Sequence, residues 1–158
     1  MASFVITKRS ARENESRTLN TAVPKGAPLG AHATNADEFA PATGTNFLGF
    51  ASRAVTAGGP DTVDYLLPGR SVDDFPFKVG DKVTAEFADQ VRVAGANLVQ
   101  QTTGTAGDLS PTTAVGTLVS FAAGKFYAAQ AGDVPLFTLT AHCGTDDDGD
   151  DIYEFTKL

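Results

Sequence analysis

Residues 115–141 read VGTLVSFAAGKFYAAQAGDVPLFTLTA. In an extended chain Val115, Thr117, Val119 and Phe121 fall on one face and Leu118 and Ser120 on the other. Ala123-Gly124 supplies a tight turn, because glycine takes positive φ without a Cβ clash. The chain returns over residues 126–129, turns again at Gly132-Asp133, and leaves over 136–140 as a third strand, with Leu136, Thr138 and Thr140 on one side. None of these residues is suited to chemistry. The stretch is scaffold, and most of the chain is written the same way.

Working outward, residues 47–55 and 62–67 read as strands separated by a Gly58-Gly59-Pro60 turn. Residues 71–77 read as a loop whose Phe75 and Phe77 plug the core. In 82–88, Val83, Ala85 and Phe87 alternate with Thr84 and Glu86; Val91 and Val93 continue the alternation, and 96–101 reads as a hairpin partner. Residues 102–113 read as a long loop rich in Gly, Thr and Ser. Residues 151–158 read as a final strand with Tyr153 and Phe155 inward. Towards the other end, residues 2–8 alternate weakly, as in a short strand, and 9–20 are polar without a period. Pro24, Gly26, Pro28 and Gly30 then mark a sharp connection, and 35–39 reads as one helical turn capped by Asn35 and stopped by Pro41. No long segment has helical period. The fold class expected is all-β: a small barrel or sandwich of short antiparallel strands with an extended N-terminal arm. The divisions are an arm over 1–20, a Pro/Gly connection over 21–45 and a single β-domain over 46–158.

At 158 residues and 16.4 kDa the chain suffices for one β-domain with a real core, and its 42% apolar content argues against wholesale disorder. The net charge is −7, which repels phosphate backbones, so no nucleic-acid partner is expected. The charge is uneven. Residues 1–20 hold Lys8, Arg9, Arg12 and Arg17 against Glu13 and Glu15, a net of +2, so the rest carries −9. Residues 146–158 hold six carboxylates against Lys157, a net of −5. A basic arm suggests an acidic partner, although charged termini are often simply solvated. A polar arm alone cannot offset about 1–2 kcal/mol per residue of ordering entropy, so it is expected to order only on a partner. With Cys143 as the only cysteine no intrachain disulfide can form. No run has signal-peptide character or approaches the roughly 20 apolar residues of a membrane helix, so a soluble protein made in the host cytoplasm, with no membrane partner, is expected.

A search for catalytic and metal-binding patterns returns little. Aligning Gly149 with the invariant glycine of an EF-hand puts Gly144 at position one and Phe155 at position twelve, where carboxylates are required. His142 and Cys143 are neighbours in a strand, so their side chains point apart and cannot form a thiolate–imidazole pair. His32 has no supporting motif. G-x-S-x-G, G-x-G-x-x-G and the P-loop are absent, and Asp73-Asp74 reads as a turn former. No catalytic residue, cofactor or metal ligand is assigned, and an enzyme with a dispersed site ranks last among the readings.

Residues 49–141 resemble the capsid decoration (cement, head-stabilising) proteins of tailed bacteriophages. The resemblance lies in Phe77-Lys-Val-Gly-Asp-Lys-Val83, in Ala114-Val-Gly-Thr117 leading into a strand, and in Gly124-Lys-Phe-Tyr-Ala-Ala-Gln-Ala-Gly-Asp133, together with the polar arm before a Pro/Gly connection. The acidic stretch after His142 has no counterpart. The resemblance implies a homo-oligomer, a trimer before a dimer, on the outer surface of the virion head, where it clamps neighbouring major capsid protein subunits. The candidate capsid contacts are Phe4, Ile6, Lys8, Arg9, Arg12 and Arg17. Self-association is expected through the β-body, with added salt leaving it intact or strengthening it. The alternative is a carbohydrate- or receptor-binding β-module of a fibre or tail, for which Tyr65, Phe75 and Tyr127 are the aromatic candidates, in the absence of any Trp.

Overall fold

The computed structural model describes residues 3–58, 76–98 and 107–158. Among these, the strands are β1 (Ser3–Arg9), β2 (Glu15–Leu19), β3 (Pro28–Ala31), β4 (Glu38–Pro41), β5 (Phe47–Ala51), β6 (Val55–Thr56), β7 (Phe77–Lys78), β8 (Lys82–Glu86), β9 (Ala88–Ala94), β10 (Leu118–Ala122), β11 (Lys125–Ala128), β12 (Phe137–Thr145) and β13 (Asp151–Lys157). A 3-10 turn spans Gly95–Asn97, and no α-helix is present among the described residues. The protein is all-β, as its alternation implies. Six strands form a curled sheet in the order β1-β9-β13-β12-β10-β11, and five close a barrel in the order β2-β4-β3-β5-β8. The barrel is inserted into the sheet. The chain leaves after β1, builds the barrel, and returns where β8 runs through Phe87 into β9.

The Ala123-Gly124 turn is present. Both residues have positive φ, 49° and 75°, which matches a two-residue hairpin between β10 and β11. Val119 and Phe121 are buried as the alternation implies, but Ser120 is buried too, with its Oγ donating to the Val134 carbonyl at 2.7 Å. Val115 lies outside the strand and is exposed. The final strand, β13, turns Tyr153 and Phe155 inward. Val83 and Ala85 fill the barrel, whereas Val91 and Val93, further along the same alternation, fill the sheet core.

The barrel and the sheet are joined by β5. Opposite β3, Leu29 pairs with Gly49 and Gly30 with Phe47, so Leu48 is an extra, bulged residue. The bulge breaks strict alternation and turns both Phe47 and Phe50 onto the sheet core, while Leu48 packs against the barrel core. Phe50 stacks on Phe126 at 5.7 Å with 6° between planes, and Phe126 stacks on Phe155 at 4.8 Å. Gly124 N–H, in the hairpin turn, donates to the Ala42 carbonyl at 3.0 Å, tying that hairpin to the barrel side.

Several expectations are corrected. Within the arm drawn over 1–20, the described residues, from Ser3 on, are not free. β1 pairs antiparallel with β9, from Ser3 opposite Ala94 to Arg9 opposite Ala88, and β2 is a barrel strand with Leu19 fully buried. The anchor is Phe4, which is buried against Phe50 and sits where any Cβ on Gly26 would fall. That glycine, at φ 80°, lets strand and connection approach. The divisions drawn at residues 20 and 45 therefore cut through the barrel, to which β3 and β4 belong. Asn35 does not cap a helical turn: its Oδ1 accepts from Asp37 N–H at 3.0 Å in a turn that leads into β4. Pairing is not wholly antiparallel, since β2 with β4 and β6 with β7 run parallel. Of residues 96–101, expected as a hairpin partner, Ala96 and Asn97 lie in the 3-10 turn and Leu98 forms a parallel bridge to Phe126, while 99–101 lie outside the described residues. The strand expected over 62–67, Tyr65, Asp73-Asp74 and Phe75 lie outside the described residues.

A packed β1 and β2 make a direct prediction. Limited trypsin digestion should leave the bonds after Lys8 and Arg17, which lie within paired strands, uncut until the whole domain opens, because paired backbone is cleaved only on unfolding. Rapid trimming at these sites in otherwise folded protein would contradict the pairing.

Candidate functional site

The six residues put forward as contacts do not form one surface. Phe4 is core, and Ile6 is half-buried and packs against the same core. Arg12 lies over the Phe87 ring at 4.0 Å and 3.4 Å from Glu15. Arg17 is 3.0 Å from Glu15 and over Phe39 at 5.6 Å. These two cations are therefore engaged by the fold. Only Lys8 and Arg9 stand outward at the edge of the sheet, Arg9 in a loose pair with Glu86 at 3.7 Å.

What the sequence did not show is where Arg9 goes. It joins Lys25 and Arg53 around a groove of about 360 Å³ between β1 and the barrel. Ser52 and Thr84 add hydroxyls, Glu86 is a carboxylate on its wall, and Phe77 contributes an aromatic edge. A second, shallower groove of about 270 Å³ runs beside Phe4, Val5 and Ile6 and shares Arg9, Lys25 and Glu86. Among the described residues the lining comes from 9, 25, 52–53, 77, 84 and 86, and no local motif links these positions. Arg53 lies over the Phe77 ring at 4.9 Å, so this ring does not offer that face to a sugar.

Among the described residues, both histidines and several aspartates make hydrogen bonds within the fold. His32 Nδ1 accepts from the backbone N–H groups of Thr34, at 3.2 Å, and Asn35, at 3.1 Å, closing a turn. His142 is exposed, with Nε2 2.7 Å from the Thr113 carbonyl, and the half-buried Cys143 follows it on the strand. In the acidic turn between β12 and β13, the Asp146 carboxylate accepts from Asp148 N–H at 3.0 Å and Asp150 N–H at 2.9 Å, and Gly149 takes φ 83°. Among the described residues no group of three or more His, Cys, Asp or Glu side chains is placed to hold a metal ion. No helix among them is long and apolar enough to cross a membrane.

Tyr127 and Asp133 close the β11–β12 connection. Burial, and then the hydrogen bond to the Asp133 carboxylate, push the Tyr127 hydroxyl up to about 12. That same hydrogen bond, and then the Gln130 N–H at 2.7 Å, hold Asp133 below the usual carboxylate range. Tyr153 is also pushed up to about 12, by burial first and then by the charges of Asp151 and Asp108. No protein family, no curated protein and no solved structure matches this chain.

The two tyrosines set an alkaline limit. Their folded values exceed the ordinary value of about 10, so the folded state holds these protons more tightly than the unfolded chain does. Stability should be level with respect to them below about pH 10 and fall between about pH 10 and 12. Denaturant midpoints measured across that window, alongside the tyrosinate absorbance, check this. Tyr153→Phe should shallow the fall, and an unchanged slope would show that Tyr153 is not the group that titrates.

Proposed function

We propose that this protein is a capsid decoration protein, which binds the outer surface of an assembled bacteriophage head and braces contacts between major capsid protein subunits. The observation that carries the reading is the use made of the reactive side chains. Among the described residues His32, Asp133 and Asp146 close turns, and both cores are apolar. Such a chain offers a surface in place of a reaction, and many modest contacts repeated on a lattice give avidity. The resemblance over residues 49–141 supports the same reading. Of the contact residues first put forward, Lys8 and Arg9 remain available on the surface. The protein acts as a homo-oligomer, a trimer in the first instance, on virions assembled in the host cytoplasm.

The test is cosedimentation of the purified protein with assembled heads that lack it. Saturable pelleting with the heads, and their greater resistance to heat, is the result expected; free protein at every head concentration would sink the reading. Lys8→Ala should lower occupancy without moving the melting temperature of the free protein, because an exposed lysine adds within about 0.5 kcal/mol to stability.

A further inference from the structure

We infer that the apolar corner made by Leu118, Val134, Leu136 and Leu158 is the docking surface for a second copy of this chain, which meets it face to face about a two-fold axis. The first ground is clustering. Three of the five exposed large apolar side chains among the described residues lie together here: Leu118, Val134 and Leu158, at 45%, 46% and 60% exposure. Half-buried Leu136 is their hub. Its N–H donates to the Val119 carbonyl at 2.9 Å, next to Leu118, and its carbonyl accepts from Leu158 N–H at 3.1 Å. Val134 stands two residues before it, with its carbonyl accepting from Ser120 Oγ at 2.7 Å. With strands about 4.8 Å apart, the four fall within roughly 15 Å of one another. Single exposed apolar residues need no explanation, but a contiguous group marks a contact surface.

The second ground is the surface that continues the corner. Val119, Phe137 and Phe155 are buried in the sheet core, so alternation turns Leu118, Thr138 and Thr156 to the outer face. There Leu118 pairs with Thr138, and Thr138 with Thr156. Thr140 Oγ1 is 3.1 Å from Thr156 Oγ1, and Gln90 Nε2 donates to Thr156 Oγ1 at 3.0 Å. Further across, Arg92 and Glu154 pair with each other at 3.3 Å. The polar atoms of this face satisfy one another, so covering it buries no unpaired charge.

The third ground is charge, and it selects the occupant. The chain carries −7, so two copies repel unless the surfaces that meet are locally balanced. The strand order β13-β12-β10 puts Leu158 and Lys157 on one side of Leu136, and Val134 with Asp133 on the other. Asp133 is fixed in its turn by the Gln130 N–H and the Tyr127 hydroxyl. A two-fold axis through Leu136 exchanges the two sides. It lays Val134 against the second copy's Leu158 and brings Asp133 beside the second copy's Lys157, and it does both twice. The corner is complementary to itself, as an isologous contact requires. A foreign protein has no need of that symmetry. The contact gives a dimer, which the resemblance ranks below a trimer, and it stands apart from attachment to heads.

Sedimentation equilibrium of the full chain, without heads, tests this. The wild type should be a monomer–dimer system. Apolar contact carries the association, so the dimer should persist at about 1 M salt, where the Debye length is about 3 Å. Val134→Asp/Leu158→Asp should be a monomer with unchanged circular dichroism and melting, because both side chains already stand in solvent in the single chain. Lys157→Glu sets a carboxylate against Asp133 twice. At about 0.1 M salt it should weaken the dimer roughly tenfold, and at about 1 M its difference from wild type should narrow. A wild type that is monomeric or trimeric, a dimer indifferent to the double substitution, or a Lys157→Glu dimer as tight as the parent at the lower salt would overturn the inference. None of these outcomes bears on attachment to heads, which cosedimentation reads separately.

Discussion

The packing of Phe50 holds the barrel and the sheet together. It belongs to a barrel strand, yet its ring meets Phe4, Phe47, Phe121, Phe126 and Phe137, all within 6.2 Å between centroids. The stack continues from Phe126 through Phe155 to Tyr153. Each well-placed aromatic pair adds about 0.5–1.5 kcal/mol beyond the area it buries. The two units have no other connection of comparable apolar extent among the described residues. The bulge at Leu48 is the local device that makes this possible, by turning Phe47 and Phe50 to the same side.

The surface follows from that join. Docking the barrel on the sheet brings Lys25 and Arg53 beside Arg9, residues that separate units would hold apart, and so creates the cationic groove. Burying Phe4 against Gly26 and Phe50 fixes β1, and with it the positions of Lys8 and Arg9. Arg12 and Arg17, one turn of chain later, are drawn onto Phe87 and Phe39 instead. The basic character of the N-terminal residues is thus divided between packing and surface.

The all-β class was legible because its signals are local. The Ala123-Gly124 turn needs only the permissiveness of glycine, and Tyr153 and Phe155 alternate within their own strand. The pairing of β1 was not legible. Only Phe4 and Ile6 mark its inner face, and its partner β9 lies some eighty residues on, so a polar segment was read as a free arm. The bulge at Leu48 was hidden because it depends on the register with β3, not on the sequence of β5. The groove was hidden for the same reason: its lining residues are scattered from Arg9 to Glu86 and meet only after the barrel closes. The acidic turn was plain as a run of aspartates, but its rigidity rests on the Asp146 hydrogen bonds.

Native-state hydrogen exchange on the wild type and on Phe50→Ala tests the central claim, that barrel and sheet form one cooperative unit through this ring. If so, the slowest amides of β3 and β5 in the barrel and of β9 and β13 in the sheet share one opening free energy, and Phe50→Ala lowers both sets together by about 3–5 kcal/mol. Loss of protection in the sheet strands alone, with the barrel amides unchanged, would contradict it.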